Sequence, residues 1–307
     1  MSRIYEALQR ADRERRTAQE VGAEPPAEGV VVPDIQEPAP VRATVVIENI
    51  ERHPWSPSLA SFPTLADRGA GVEQFRSLRS RVYQARYEAS LKTILVSSGM
   101  PSEGKSFVAA NLAMSLARNG MNNILLIDGD LRRPTLHALL GAPNLPGLSE
   151  YLAGTAELNS ILQRDGTSPS PGKATVASAS NLTFIPAGKC GDNSSELVAN
   201  HRIEDLIATL APLFDWILID SPPVLAVTDA VDLARAADAV LLVARGGSTP
   251  FDVAQRAQAT FKNSRILGFV LNDVKDPPRT GSNYYYYYGE PEASSGGKRH
   301  KSKRSRT

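Results

Sequence analysis

The chain has 307 residues, a single cysteine and a formal net charge of +1, with 42% hydrophobic residues. That length admits one large domain or two smaller ones, and near-neutrality offers no bulk field that would select nucleic acid as a partner. Cys190 cannot close an internal disulfide, no apolar run approaches the roughly 18 residues that span a bilayer, and the N-terminus is charged from Arg3 without a signal-peptide core.

Residues 1–20 have the spacing of a short amphipathic helix, with Ile4, Leu8 and Ala11 on one side. A helix this short is marginal in water, so it orders against the domain, a partner or a membrane surface. Residues 21–71 are punctuated by Pro25, Pro26, Pro33, Pro38, Pro40, Pro54, Pro57 and Pro63, and are predicted to be a disordered or extended linker. Thr44–Glu48 is a candidate lone strand within it. Helical periodicity begins at Val72, where Glu73, Arg76 and Arg79 recur every three residues near one face. On pattern alone they are a solvated charged face.

Thr93–Ser97 is a short apolar strand that runs into Gly99-Met100-Pro101-Ser102-Glu103-Gly104-Lys105-Ser106, followed by apolar residues at helical spacing from Phe107 to Ala117. The pattern G-x-x-x-x-G-K-[ST] between a strand and a helix is a phosphate loop. Backbone N–H groups and the helix dipole face an anion together. Lys105 then reaches the β- and γ-phosphates, and the Ser106 hydroxyl ligates Mg²⁺. The strand Asn123–Asp128 leads into Asp128, Asp130 and Arg132. Paired acids at the carboxyl end of a strand lie where open α/β sheets bind ligands, and their mutual repulsion calls for a cation. After a helix and a flexible insertion between Ala156 and Asn181, further strands are predicted at Leu182–Pro186, Asp215–Asp220, Ala239–Ala244 and Ile266–Asn272. Six buried-type strands alternating with helices predict an α/β fold of the P-loop NTPase kind over residues 72–275, mostly parallel with helices on both faces. Residues 276–307 are predicted to be a disordered tail carrying five consecutive tyrosines, Tyr284, Tyr285, Tyr286, Tyr287 and Tyr288, and a basic end from Lys298 to Arg306.

Together these residues resemble the cytoplasmic domain of the bacterial tyrosine kinases of capsule and exopolysaccharide export, over about residues 72–290. The resemblance rests on the phosphate loop, the Asp128-Gly-Asp-Leu-Arg132 box, the strand ending in Asp220, the Glu73-x-x-Arg76-x-x-Arg79 helix and the tyrosine run. It implies an ATP- and Mg²⁺-dependent autokinase that phosphorylates Tyr284–Tyr288, with a neighbouring subunit's site acting on them in the family's ring-like oligomer. Nucleotide contacts fall to Gly99 through Phe107 and to Arg132, and metal contacts to Ser106, Asp128, Asp130 and Asp220. Lys105, Asp128 and Asp130 form the catalytic set, with Asp128 as base. Glu73, Arg76 and Arg79 become the subunit interface rather than a solvated face. Asn272 looks like the adenine-reading Asn of related ATPases, or an ordinary turn residue. The family's Pro-rich segment is replaced here by Gly188–Ser195. The chain is similar to the split form of the family, which would be cytoplasmic and held at the inner face of the plasma membrane by a separate membrane co-polymerase that activates it. A tyrosine phosphatase would oppose it. Two other readings share the phosphate loop. One is a partitioning-type ATPase, whose additional loop lysine would fall at Met100, and the other is a nucleotide-gated scaffold.

Overall fold

The computed structural model describes residues 45–66, 68–118, 120–167, 181–189, 191, 194–199 and 201–275. The predicted N-terminal helix, the tyrosine run, the basic end, Cys190 and most of the predicted insertion lie outside the described residues. Eight strands form one sheet: β1 (Glu51–His53), β2 (Thr93–Ser98), β3 (Ile124–Asp128), β4 (Gln163–Asp165), β5 (Leu182–Ile185), β6 (Trp216–Asp220), β7 (Ala239–Arg245) and β8 (Ile266–Asn272). Their order is β1-β4-β5-β3-β6-β2-β7-β8, parallel throughout except for β4 against β5.

A parallel sheet covered on both sides needs strands that are apolar on both faces, which is why β2, β3, β5 and β6 read as continuous hydrophobic runs. Ile94, Val96, Leu126, Leu218 and Leu241 point to one layer, which contains helices α1 (Ala70–Ala89) and α2 (Lys105–Ala117). Leu95, Leu125, Ile127, Ile219 and Val240 point to the other, against Leu206, Leu210 and Phe261. Two carboxylates complete the starts of the central strands. Asp238 accepts the N–H groups of Lys92 and Thr93 at 2.8 and 2.7 Å, and Asp215 accepts that of Asn123 at 2.8 Å. Donors that would otherwise be orphaned where the ladder begins are thereby satisfied. The resulting alignment sets Asp128 opposite Asp220, and Asp220 opposite Val96. No described helix is long and apolar enough to cross a membrane.

The structure corrects three expectations. First, the predicted linker is ordered from Val45 onward: Val45, Ile50, Trp55, Phe62 and Leu65 are buried, and β1 pairs with β4. Prolines in this stretch punctuate the path without preventing burial, and its apolar residues have no period to betray them. Trp55 meets Phe184 edge-on at 6.2 Å, and the guanidinium of Arg118 donates to the carbonyls of Thr64 and Ala66. Second, the strand expected at Thr44–Glu48 is absent from the described part of that stretch: Ile47–Asn49 is a turn of 3₁₀ helix, and the strand follows at Glu51. Third, β8 is an edge strand rather than a buried one, with Phe269 and Leu271 exposed.

Phe62 is fully buried in the layer above α2. Phe62→Ala is therefore expected to lower stability by about 3–5 kcal/mol, the usual range for deleting a buried aromatic ring. Urea unfolding of the full chain measures this, and a loss below about 1 kcal/mol would return the segment to the status of a linker.

Candidate active site

Three chain segments meet at the carboxyl end of the central strands. The turn after β2 carries the phosphate loop, which has left-handed backbone at Ser102 (φ 65°) and Gly104 (φ 92°) before α2 begins at Lys105. Strand β3 delivers Asp128 and then Asp130, and β6 delivers Asp220. Lys105 Nζ lies 3.0 Å from Asp130 Oδ2, 3.8 Å from Asp220 Oδ2 and 3.2 Å from Ser106 Oγ. Burial works against the lysine's charge, but the carboxylates of Asp220 and Asp130 outweigh it and raise its pKa.

The three acids are held differently. Asp128 Oδ2 accepts the N–H groups of Thr135 and Leu136 at 3.1 and 3.0 Å, while its Oδ1 has only the Asp130 N–H at 3.3 Å. Asp130 Oδ1 accepts the Arg133 N–H, leaving Oδ2 to Lys105. Asp220 is fully buried with the Ser106 hydroxyl, the Ser221 N–H and, at 3.8 Å, Lys105 Nζ beside its carboxylate, yet none of them makes a well-formed hydrogen bond to it. Burial, followed by the charge of Asp220, pushes Asp128 up to about 8. Burial also pushes Asp220 up, to about 6, with Lys105 opposing it. Two buried like charges side by side cannot both ionise unless a cation joins them.

Asp220 is therefore the group that asks for a metal. Among the described residues no three His, Cys, Asp or Glu side chains form a metal-binding group of their own. Mg²⁺ is usually held by one or two carboxylates together with phosphate oxygens and water rather than by a protein cage. The Ser106 hydroxyl, beside Lys105 at the start of α2, is placed to join it.

Other predicted site residues turn elsewhere. Phe107 packs its ring on Phe75 at 5.8 Å. Arg132 Nε meets Asp229 Oδ2 at 3.0 Å and its Nη2 reaches Ser195 Oγ, which in turn donates to Asp229 Oδ1 at 2.7 Å. Asp229 raises the pKa of Arg132, first by hydrogen bonding and then by charge. Asp229 and Ser195 belong to no motif, so no local signal in the sequence marks them. Met100, Pro101 and Ser102 are exposed along the loop, whereas Glu103 is buried within it. Asn272 donates to the Glu103 carbonyl at 3.1 Å. Glu73 and Arg76 form an exposed ion pair at 2.9 Å, but Arg79 is drawn to the Ser115 carbonyl of α2 at 2.7 Å. The tyrosines Tyr284–Tyr288 lie outside the described residues.

No protein-family model matches the chain. It is 32% identical to tyrosine-protein kinase YwqD of Bacillus subtilis over 206 residues, 66% of this chain and 81% of that protein. It is 34% identical to tyrosine-protein kinase wzc of Salmonella typhimurium over 231 residues, 74% of this chain but only 30% of the relative's length. Among solved structures, the kinase domain of the Escherichia coli tyrosine kinase ETK superposes with a TM-score of 0.65 at 31% identity, covering 77% of this chain and 87% of that one.

The acid pair sets a pH dependence. The folded chain keeps a proton on Asp128 that the unfolded chain, whose aspartates titrate near 4, has already released. The folded state thus binds more protons from about pH 4 to about pH 8, and metal-free stability falls as pH rises through that window. Asp128→Asn, neutral throughout, is expected to flatten the slope in urea titrations. An identical slope in both proteins would show that the pair holds no shared proton.

Proposed function

Because this chain belongs to the bacterial tyrosine-protein kinase family, we propose that it transfers the γ-phosphoryl group of ATP to protein tyrosine, with its own Tyr284–Tyr288 run as acceptor between subunits. The observation that carries this reading is Lys105, set at the start of α2 and held between Asp130 and Asp220, with Asp128 alongside. The loop's backbone N–H groups and the N-terminus of α2 bind phosphate, and Lys105 adds a charge for the β- and γ-phosphate oxygens. Ser106, Asp130 and Asp220 are the residues that would hold Mg²⁺, which when bound neutralises charge developing on the phosphates.

Asp128 is the base in this reading. A tyrosine hydroxyl has a pKa near 10, so its proton needs an acceptor as the oxygen attacks. With Oδ2 occupied by two backbone donors, Oδ1 is the oxygen that accepts the proton. Asp128 must be ionised to accept that proton, which a cation beside Asp220 would allow. Its raised proton affinity then matches the tyrosine better than an ordinary aspartate's would. The motif resemblance supports a wider role in exopolysaccharide or capsule export, with a membrane co-polymerase as activator and a tyrosine phosphatase as antagonist. For self-association, the exposed Glu73–Arg76 pair is the part of the charged helix left available to a neighbour, while Arg79 braces α1 against α2.

Incubating the full chain with labelled ATP and Mg²⁺ and mapping the label tests the reaction. Label is expected on Tyr284–Tyr288, and free phosphate alone would select a partitioning-type ATPase. Lys105→Met is expected to lose about 1.5–3 kcal/mol of nucleotide binding, the worth of a charged hydrogen bond, and to abolish transfer. Near-normal labelling of that variant would remove Lys105 from the mechanism. Arg76→Ala is expected to shift sedimentation toward smaller species and to slow labelling at low protein concentration. Sedimentation identical to that of the unsubstituted chain would make the helix face merely solvated.

A further inference from the structure

We propose that Glu103 is the positioning residue of the phosphate loop, fixing the loop's anion-binding shape through anchors outside the loop at Thr249 and Asn272. The proposal rests on the loop binding nucleotide phosphate, as above, but not on where the phosphoryl group goes.

An acid within a loop built for anions is electrostatically adverse unless its charge is turned away. Glu103 is turned away: it is 4% exposed, whereas Met100, Pro101 and Ser102 beside it are exposed. Its Oε2 accepts the Met100 N–H at 2.7 Å, closing the turn that contains Ser102. Ser102 has φ 65°, a left-handed conformation that a non-glycine residue keeps only where its surroundings hold it. Glu103 Oε1 accepts the Thr249 hydroxyl, and Thr249 Oγ1 accepts the Arg245 N–H at 2.8 Å, so the loop is tied to the turn after β7.

The backbone of the same residue is held from the other side. The Asn272 amide donates to the Glu103 carbonyl at 3.1 Å, and a Cβ on Gly104 would overlap that amide. Arg245 Nε and Asp273 Oδ2, 2.8 Å apart, join the ends of β7 and β8 that carry these two anchors. Glu103 thus links three elements that do not follow one another in the chain. Lys105 and Ser106 begin two residues later, so the loop's donors are oriented by contacts that never touch the anion.

Binding of Mg-ADP and of inorganic pyrophosphate to the full chain tests this, together with amide exchange at Met100 in the ligand-free protein. Glu103→Ala is expected to weaken both ligands by the same factor, about tenfold or more, and to speed Met100 exchange, because the Met100 N–H loses its acceptor and the loop loses its tie to Thr249. Glu103→Gln, whose amide oxygen still accepts that N–H, is expected to bind both within about twofold of the unsubstituted chain. Thr249→Val, outside the loop, is expected to weaken both by about threefold. A folded Glu103→Ala with unchanged affinities, a loss confined to ADP, or unchanged Met100 exchange overturns the proposal. If Glu103→Ala does not fold, Thr249→Val decides: equal weakening of both ligands supports the proposal and unchanged binding overturns it. No binding of either ligand by the unsubstituted chain overturns this proposal and the kinase reading together. Binding with the expected pattern but no labelled tyrosine overturns the kinase reading alone.

Discussion

The site depends on a like-charge contact that the sheet enforces. Strands β3 and β6 are parallel neighbours whose register places Asp128 opposite Asp220 at their carboxyl ends, with both side chains fully buried. Neither strand can shift to relieve the repulsion without moving its apolar residues out of both layers. Lys105 lies beside the pair, 3.8 Å from Asp220 Oδ2, and the Asp220 carboxylate lacks a well-formed hydrogen bond with which a bound cation would compete. Burying two acids together is destabilising by itself, and a positive charge beside them would relieve that cost.

Helix α2 imposes a second constraint. It begins inside the phosphate loop and is buried at ten consecutive positions from Val108 to Ala117. A helix buried all round must be covered on every side. The sheet covers one side; α1 and the segment around Phe62 and Leu65 contribute to the other. Polar ties hold that cover in place. Asn111 bridges the Ser61 carbonyl and the Thr64 hydroxyl, Arg118 reaches Thr64 and Ala66, and Arg79 bonds the Ser115 carbonyl. One arginine of the charged helix therefore serves the domain's own packing, while the exposed Glu73–Arg76 pair remains outside it.

Much of this protein is determined locally. A central parallel strand must be apolar on both faces, so β2, β3, β5 and β6 announce themselves as unbroken hydrophobic runs. The phosphate loop is equally local, because glycine spacing, a lysine and a helix start suffice to bind an anion. Acids at strand ends are visible in the same way. These local features are enough to assign Lys105, Ser106, Asp128, Asp130 and Asp220 to one end of a sheet.

Tertiary structure decided which groups face one another. Strand order runs β3-β6-β2-β7, so chain neighbours are separated and distant residues are brought together. Arg132 finds Asp229, Glu103 finds Thr249, and Asn272 finds the carbonyl of Glu103, none of which a local pattern can specify. The buried segment from Val45 to Leu65 is hidden in the sequence for a related reason: its apolar residues fill gaps over α2 and β5 instead of repeating along a face. Periodicity records how a chain meets one surface, whereas these contacts depend on surfaces that exist only once the sheet has assembled.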